Sequence, residues 1–185
     1  ANFSLKSAIF THIYHPTYTK IYLKFMPIKI NFSNKVSSNS SANAVLFADQ
    51  KFNINGLKKY FSSTEFSYIN DLLKSSDLKK NMFVFEVNSK KKIVLISIKK
   101  DLKSSGVENL GAEFYGRINY GKNSEYFLYS DSLIGKHENF IGHFLHGLKL
   151  KSYEFNKYKT KKETRLISVN VVGIKNKPSV QTQLN

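Results

Sequence analysis

An α/β layered domain, with helices packed on a mixed central sheet, is the fold this sequence predicts. Six apolar runs of strand length alternate with three segments of helical periodicity. Several runs, such as "IVLISI", are almost unbroken in apolar residues, which suits strands covered on both faces. Two of the runs are joined by "NSKKK", short enough for an antiparallel hairpin, so the sheet is expected to be mixed rather than wholly parallel.

The first strand is expected at residues 28–32, inside "MPIKINFSNKV", and the polar loop "SNKVSSNSSAN" separates it from the second at 44–48. A helix over 57–73 follows, with Phe66, Ile69 and Leu73 on one stripe and a break near Ser62 and Ser63. Strands at 83–87 and 93–98 flank the hairpin turn and are rich in Val, Ile and Phe. In the second helix Val107, Leu110, Phe114 and Ile118 fall 3, 4 and 4 apart, with Ser104 or Ser105 available as its cap. A strand at 126–129 leads to a third helix over 136–150, whose apolar face is Phe140, Ile141, Phe144, Leu145 and Leu148. The last strand is expected at 166–172, and "GIKNKPSVQTQLN" reads as the start of a linker, with Pro178 marking a break.

The chain has 185 residues, enough for one domain with a proper core. Residues 1–25 contain no acid and three lysines and follow neither helical nor strand periodicity. We expect them to be an unstructured leader, with the true start at Met26, a domain over 26–172 and a linker over 173–185. No apolar run approaches the ~20 residues of a membrane helix, so no membrane partner is expected. The absence of cysteine excludes thiol catalysis and cysteine-ligated zinc, and it fits a reducing, cytoplasmic setting.

A net charge of +16 suggests polyanionic partners. Yet only Arg117 and Arg165 among the 29 basic residues are arginine, the residue whose planar fork suits phosphate. Abundant Lys, Asn and Ile is also what an AT-rich genome encodes, so much of the charge reads as a solvated surface. The basic strip is Phe144 to Lys162, where Lys149, Lys151, Lys157, Lys159, Lys161 and Lys162 face the single acid Glu154. Tyr153, Phe155 and Tyr158 lie among them and could stack on bases. The same stretch, "SYEFNKY", alternates like a short extended segment, with Tyr153, Phe155 and Lys157 on one side.

Other constellations are incomplete. "GRINYGKN" places Gly116, Gly121 and Lys122 as a phosphate loop would, but Asn123 replaces the hydroxyl that holds magnesium. It also follows a helix and precedes a strand, so a left-handed helix cap at Gly116 or Gly121 is the plainer reading. His143 and His146, three apart, should face solvent or a partner, without a third ligand on their own helix. His137 should be partly buried at the helix start. Glu65, Asp71, Asp77 and Asp101 border helices or turns, and Glu108 and Glu113 lie on the polar side of the second helix. The chain has no self-sufficient catalytic or metal-binding set.

"GLKLKSYEFNKYKTKK" resembles the end of the N-terminal domain of cytosolic leucyl aminopeptidases, the two-metal hexameric exopeptidases. "NLGAEFYGRI" is similar to the preceding helix of that domain, and the alternation from "AVLFADQKF" onward runs in the family's order. The resemblance covers about residues 28–185 and is strongest at 140–162. It implies a macro-domain-like fold and a chain that is the non-catalytic part of a metallo-exopeptidase acting on peptides. Two divalent metals, zinc or manganese, would sit in a catalytic domain carrying motifs of the type Asn-Thr-Asp-Ala-Glu-Gly-Arg, which do not occur here. The implied partners are that catalytic domain and the other subunits of a homo-hexamer. A basic nucleic-acid-binding module using Lys149–Lys162, with weak DNA binding, is the alternative. A third reading, an ADP-ribose-type binder, rests on fold analogy.

Overall fold

The computed structural model describes residues 28–33, 42–118, 124–133, 135, 139–157 and 166–174, without the side chains of 154–157. The expected leader and nearly all of the expected linker lie outside these residues.

Six strands form one sheet: β1 (Ile28–Ser33), β2 (Asn43–Asp49), β3 (Met82–Glu86), β4 (Lys92–Ile98), β5 (Ser124–Tyr129) and β6 (Ile167–Val172). Their order across the sheet is β1-β6-β5-β2-β4-β3. Every pairing is parallel except β3 with β4. That exception is the hairpin "NSKKK" dictates, closed by the Val87 amide on the Lys91 carbonyl at 3.0 Å.

Three α-helices pack on the sheet: α1 (Ser63–Lys74), α2 (Ser104–Ile118) and α3 (Phe140–Lys157). Short 3-10 helices span Asn55–Tyr60 and Ser130–Ser132. The chain passes from β4 through α2 to β5, and from β5 through α3 to β6, moving the same way across the sheet each time. Right-handed crossovers in one direction put both helices on one face. From β2 the chain moves the opposite way, so α1 lies on the other face.

The two cores follow from this. Val45, Phe47, Val94, Ile96, Leu128, Val169 and Val171 point toward α2 and α3. The alternate residues Ala44, Leu46, Ile93 and Leu95 point toward α1 and the first 3-10 helix. The central strands are thus apolar on both faces, as their unbroken runs require. Aromatic rings fill the thicker core, where Phe144 meets Phe47 edge-on at 5.7 Å and Phe114 at 5.6 Å. On β1, β6 and β5 the face opposite α2 and α3 carries a polar row. Asn31 donates to Asn170 at 2.8 Å, and Asn170 donates to Glu125 at 2.7 Å.

The break near Ser62 is a helix start. Ser62 Oγ accepts from the Glu65 amide, and Glu65 Oε2 accepts from the Ser62 amide, a reciprocal capping box. Phe61 and Phe66 pack across it at 6.1 Å as a hydrophobic staple.

Three expectations need correction. Ser104 and Ser105 lie inside α2 rather than capping it, and the Val107 amide bonds to the Lys103 carbonyl. Gly116 is within α2 and is not among the described positive-φ glycines, Gly135 and Gly173, so it is no left-handed cap. The third helix begins at Phe140, after Asn139 at φ 57, and runs seven residues beyond Leu150 to Lys157. Just past β6, Ile174 packs on the main core.

Candidate functional site

The lysine-rich strip is helical up to Lys157 rather than extended from Ser152. Ser152 continues the buried stripe of Leu145 and Leu148 at helical spacing and is only 1% exposed. Its hydroxyl bonds back to the Lys149 carbonyl at 2.7 Å. With no Gly or Pro from Leu148 to Lys157, nothing in the chain stops the helix earlier. Positions 153 and 155 are therefore about 200° apart around the axis, not on one side. Tyr153 and Leu150 are half exposed on the outer surface, and Lys151 is exposed beside them. Lys149 is partly buried. Phe155 and Lys157 lie on α3, with side chains outside the described set. Tyr158, Lys159, Lys161 and Lys162 fall outside the described residues, as do His137, Gly121, Lys122 and Asn123.

The two histidines do find an acid, from the neighbouring helix. Glu108 Oε1 on α2 stands 3.1 Å from His146 Nδ1 and 3.4 Å from His143 Nδ1. The His146 hydrogen bond holds the Glu108 carboxyl below the usual carboxylate range, with burial opposing and His143 adding to the lowering. Sequence spacing along one helix could not reveal this contact, because it depends on how α2 and α3 cross. The crossing is close. A Cβ on Gly111 would collide with the Phe144 carbonyl, and one on Gly147 would collide with the Glu108 carbonyl. The glycines at those two positions were the available signal.

Both imidazoles address the same oxygen, and among the described residues no group of three His, Asp or Glu could hold a metal ion. The metals implied by the family resemblance therefore have no fitting site among these residues.

At the carboxyl ends of the parallel strands several polar groups are satisfied within the chain. Ser132 is buried, accepting from the Phe47 amide at 2.9 Å and donating to the Tyr129 carbonyl at 2.6 Å. Ser130 donates to the Val172 carbonyl at 2.7 Å, and Gly173 turns away at φ 92. Asp49 accepts from the amides of Lys51 and Asn53, holding the turn in which Phe52 has φ 53. Nearby, Lys59 pairs with Asp131 at 3.0 Å beside the rings of Tyr60 and Tyr129. Burial, helped by Asp131, pushes the Tyr60 phenol up to about 12. Its oxygen is the one buried side-chain polar atom among the described residues without a hydrogen-bond partner.

The remaining carboxylates have structural tasks. Glu65 pairs with buried Lys91 at 2.7 Å, Asp71 with Lys74, and Glu113 with Arg117. Asp77 accepts from the Lys79 amide, and Asp101 is exposed. No helix among the described residues is long and apolar enough to cross a membrane.

The fold is a layered α/β domain on a mixed six-stranded sheet, the class expected from the sequence. Among solved structures it is similar to a mutant of tomato leucine aminopeptidase, with a TM-score of 0.58 and 16% identity over 85% of this chain. That match spans 34% of the tomato chain, about a third of its length. It is also similar to the macrodomain of Thermus aquaticus DarG, with a TM-score of 0.49 and 10% identity over 80% of this chain and 99% of that one. No family model and no curated protein matches the sequence.

Proposed function

We propose that this chain is the non-catalytic domain of a metal-dependent leucyl aminopeptidase, shaping oligomer packing and access to a catalytic domain elsewhere in the same protein. The supporting observation is the fold likeness to tomato leucine aminopeptidase, which takes in 85% of this chain but 34% of the enzyme. The motif resemblance at 140–162 points the same way. In this reading the full-length protein is a cytoplasmic homo-hexamer that removes N-terminal residues from peptides. Its zinc or manganese pair belongs to the catalytic domain, and this chain supplies packing surfaces rather than reacting groups.

The test is to read the gene beyond the codon for Asn185 and express the longer product. Metal-ligand motifs in that frame, with manganese- or zinc-dependent release of leucine from leucyl peptides, would support the proposal. This chain alone should release none with either metal. A frame that closes without such motifs, or metal-dependent turnover by this chain after removal of host peptidases, would overturn it.

A further inference from the structure

The contact between α2 and α3 has an unusual division of labour. At its centre, Gly111 and Gly147 bring the two backbones together with no side chain between them. At its edge, Glu108 reaches from α2 to His143 and His146 on α3. Each of these contacts is an ion pair only when its imidazole is protonated. All three side chains are about one-third exposed, so water and protons reach them.

We propose that Glu108, His143 and His146 form a pH-responsive latch that tightens the α2–α3 contact as the imidazoles gain protons. A neutral imidazole carries one N–H, on either ring nitrogen, so donation from Nδ1 depends on the tautomer. A protonated ring carries both, so each Nδ1 donates to the carboxylate and adds a charge to the bond. One carboxylate oxygen then accepts from both Nδ1–H groups.

The surroundings leave few other groups to answer a pH change. The strands beneath present Val45, Phe47, Val94 and Ile96, which do not titrate. Tyr126 of β5 is buried against Phe114, and burial pushes its phenol up to about 12. Further along α2, Glu113 pairs with Arg117. The nearest other charged positions along the two helices are Lys103, before α2, and Lys149, three residues past His146.

The working window follows from the signs. Histidine takes up its second proton as solution turns acidic, so the latch tightens as pH falls. Glu108, held low by His146, keeps its charge below the usual carboxylate range, and the latch releases only when it too is protonated. The contact is therefore tightest in mildly acidic solution.

The experiment is a double-mutant cycle on the full chain, combining Glu108→Gln with His146→Gln, read by denaturant unfolding at about pH 5.5 and pH 8. The coupling should be at least about threefold larger, as a ratio of unfolding constants, at the lower pH, the size expected of partly exposed ion pairs. A coupling that is equal at both values, or larger at pH 8, would overturn the latch and leave a pH-independent structural bond. Should the double variant fold poorly, His146→Gln alone decides: with a latch it lowers the midpoint more at pH 5.5 than at pH 8.

Discussion

The backbone of Gly147 lies directly against the carbonyl of Glu108, so two helices from separate crossovers touch main chain to main chain. The obstruction at this point is backbone, which cannot rotate aside as a flexible side chain can. Gly147→Ala should therefore force α2 and α3 apart and cost about 2–3 kcal/mol, the scale of overpacking a tight core. Gly116→Ala is the control, because its added methyl would meet nothing within 4 Å. In an exposed helix interior it should stabilise by up to about 1 kcal/mol. Denaturant midpoints of both variants check the pair.

Phe144 is fully buried among Phe47, Phe114 and Phe140. Phe144→Ala should lose about 3–5 kcal/mol, because the rings around it are held by the sheet and by α2 and cannot collapse into the space. Phe144→Leu should lose clearly less. Comparable losses for the two would contradict the account of a rigid aromatic cluster.

Glu65 joins three things: the α1 cap, the α1 helix and Lys91 in the hairpin turn. Burial works to raise its carboxyl, but the bonds from Lys91 and Ser62 outweigh it, and the net shift is downward. A lowered folded value means stability that is present above the unfolded value near ~4.3 and is lost as pH falls through the folded value. Glu65→Gln should thus be less stable than wild type at pH 7, with the gap narrowing on acidification below about pH 4. Lys91→Ala should cost about 2–4 kcal/mol at pH 7 by leaving a largely buried carboxylate unpaired.

Any polyanion binding through the lysines around α3 should be weak, indifferent to sequence and steeply reduced by salt, since each neutralised phosphate releases counterions. Because α3 continues to Lys157, positions 153 and 155 do not share a side, and Tyr153 is the half-exposed ring of this strip among the described side chains. Tyr153→Ala should change DNA affinity less than twofold in fluorescence anisotropy. A tenfold loss that survives physiological salt would instead show a dedicated stacking site.

The strands were legible for two reasons: the central ones, covered on both faces, are unbroken apolar runs such as Ile93–Ile98, and β1 alternates apolar and polar residues. The apolar faces of the helices were legible for a similar reason. The end of α3 was not, since Tyr153 and Phe155 alternate with polar neighbours and mimic a strand, while the helix is held through Ser152, a small polar residue with no hydropathy signal. The histidine–glutamate contact was equally hidden. His143 and Glu108 are 35 residues apart, and only the Gly111–Gly147 crossing brings them together.

The position of β6 between β1 and β5 bears on synthesis. Among the described strands the first to be synthesised has the last as its sheet neighbour, and Asn31 waits for Asn170, 139 residues later. At about 5–20 residues per second, that delay is roughly 7–30 s. Throughout it β1 is a bare edge able to pair with any passing strand. Lys29, Asn31 and Ser33 occupy alternate positions along it, which puts polar side chains on one whole face of the waiting strand. The same asparagine that later completes the polar row across the finished sheet thus helps keep the nascent chain from self-association.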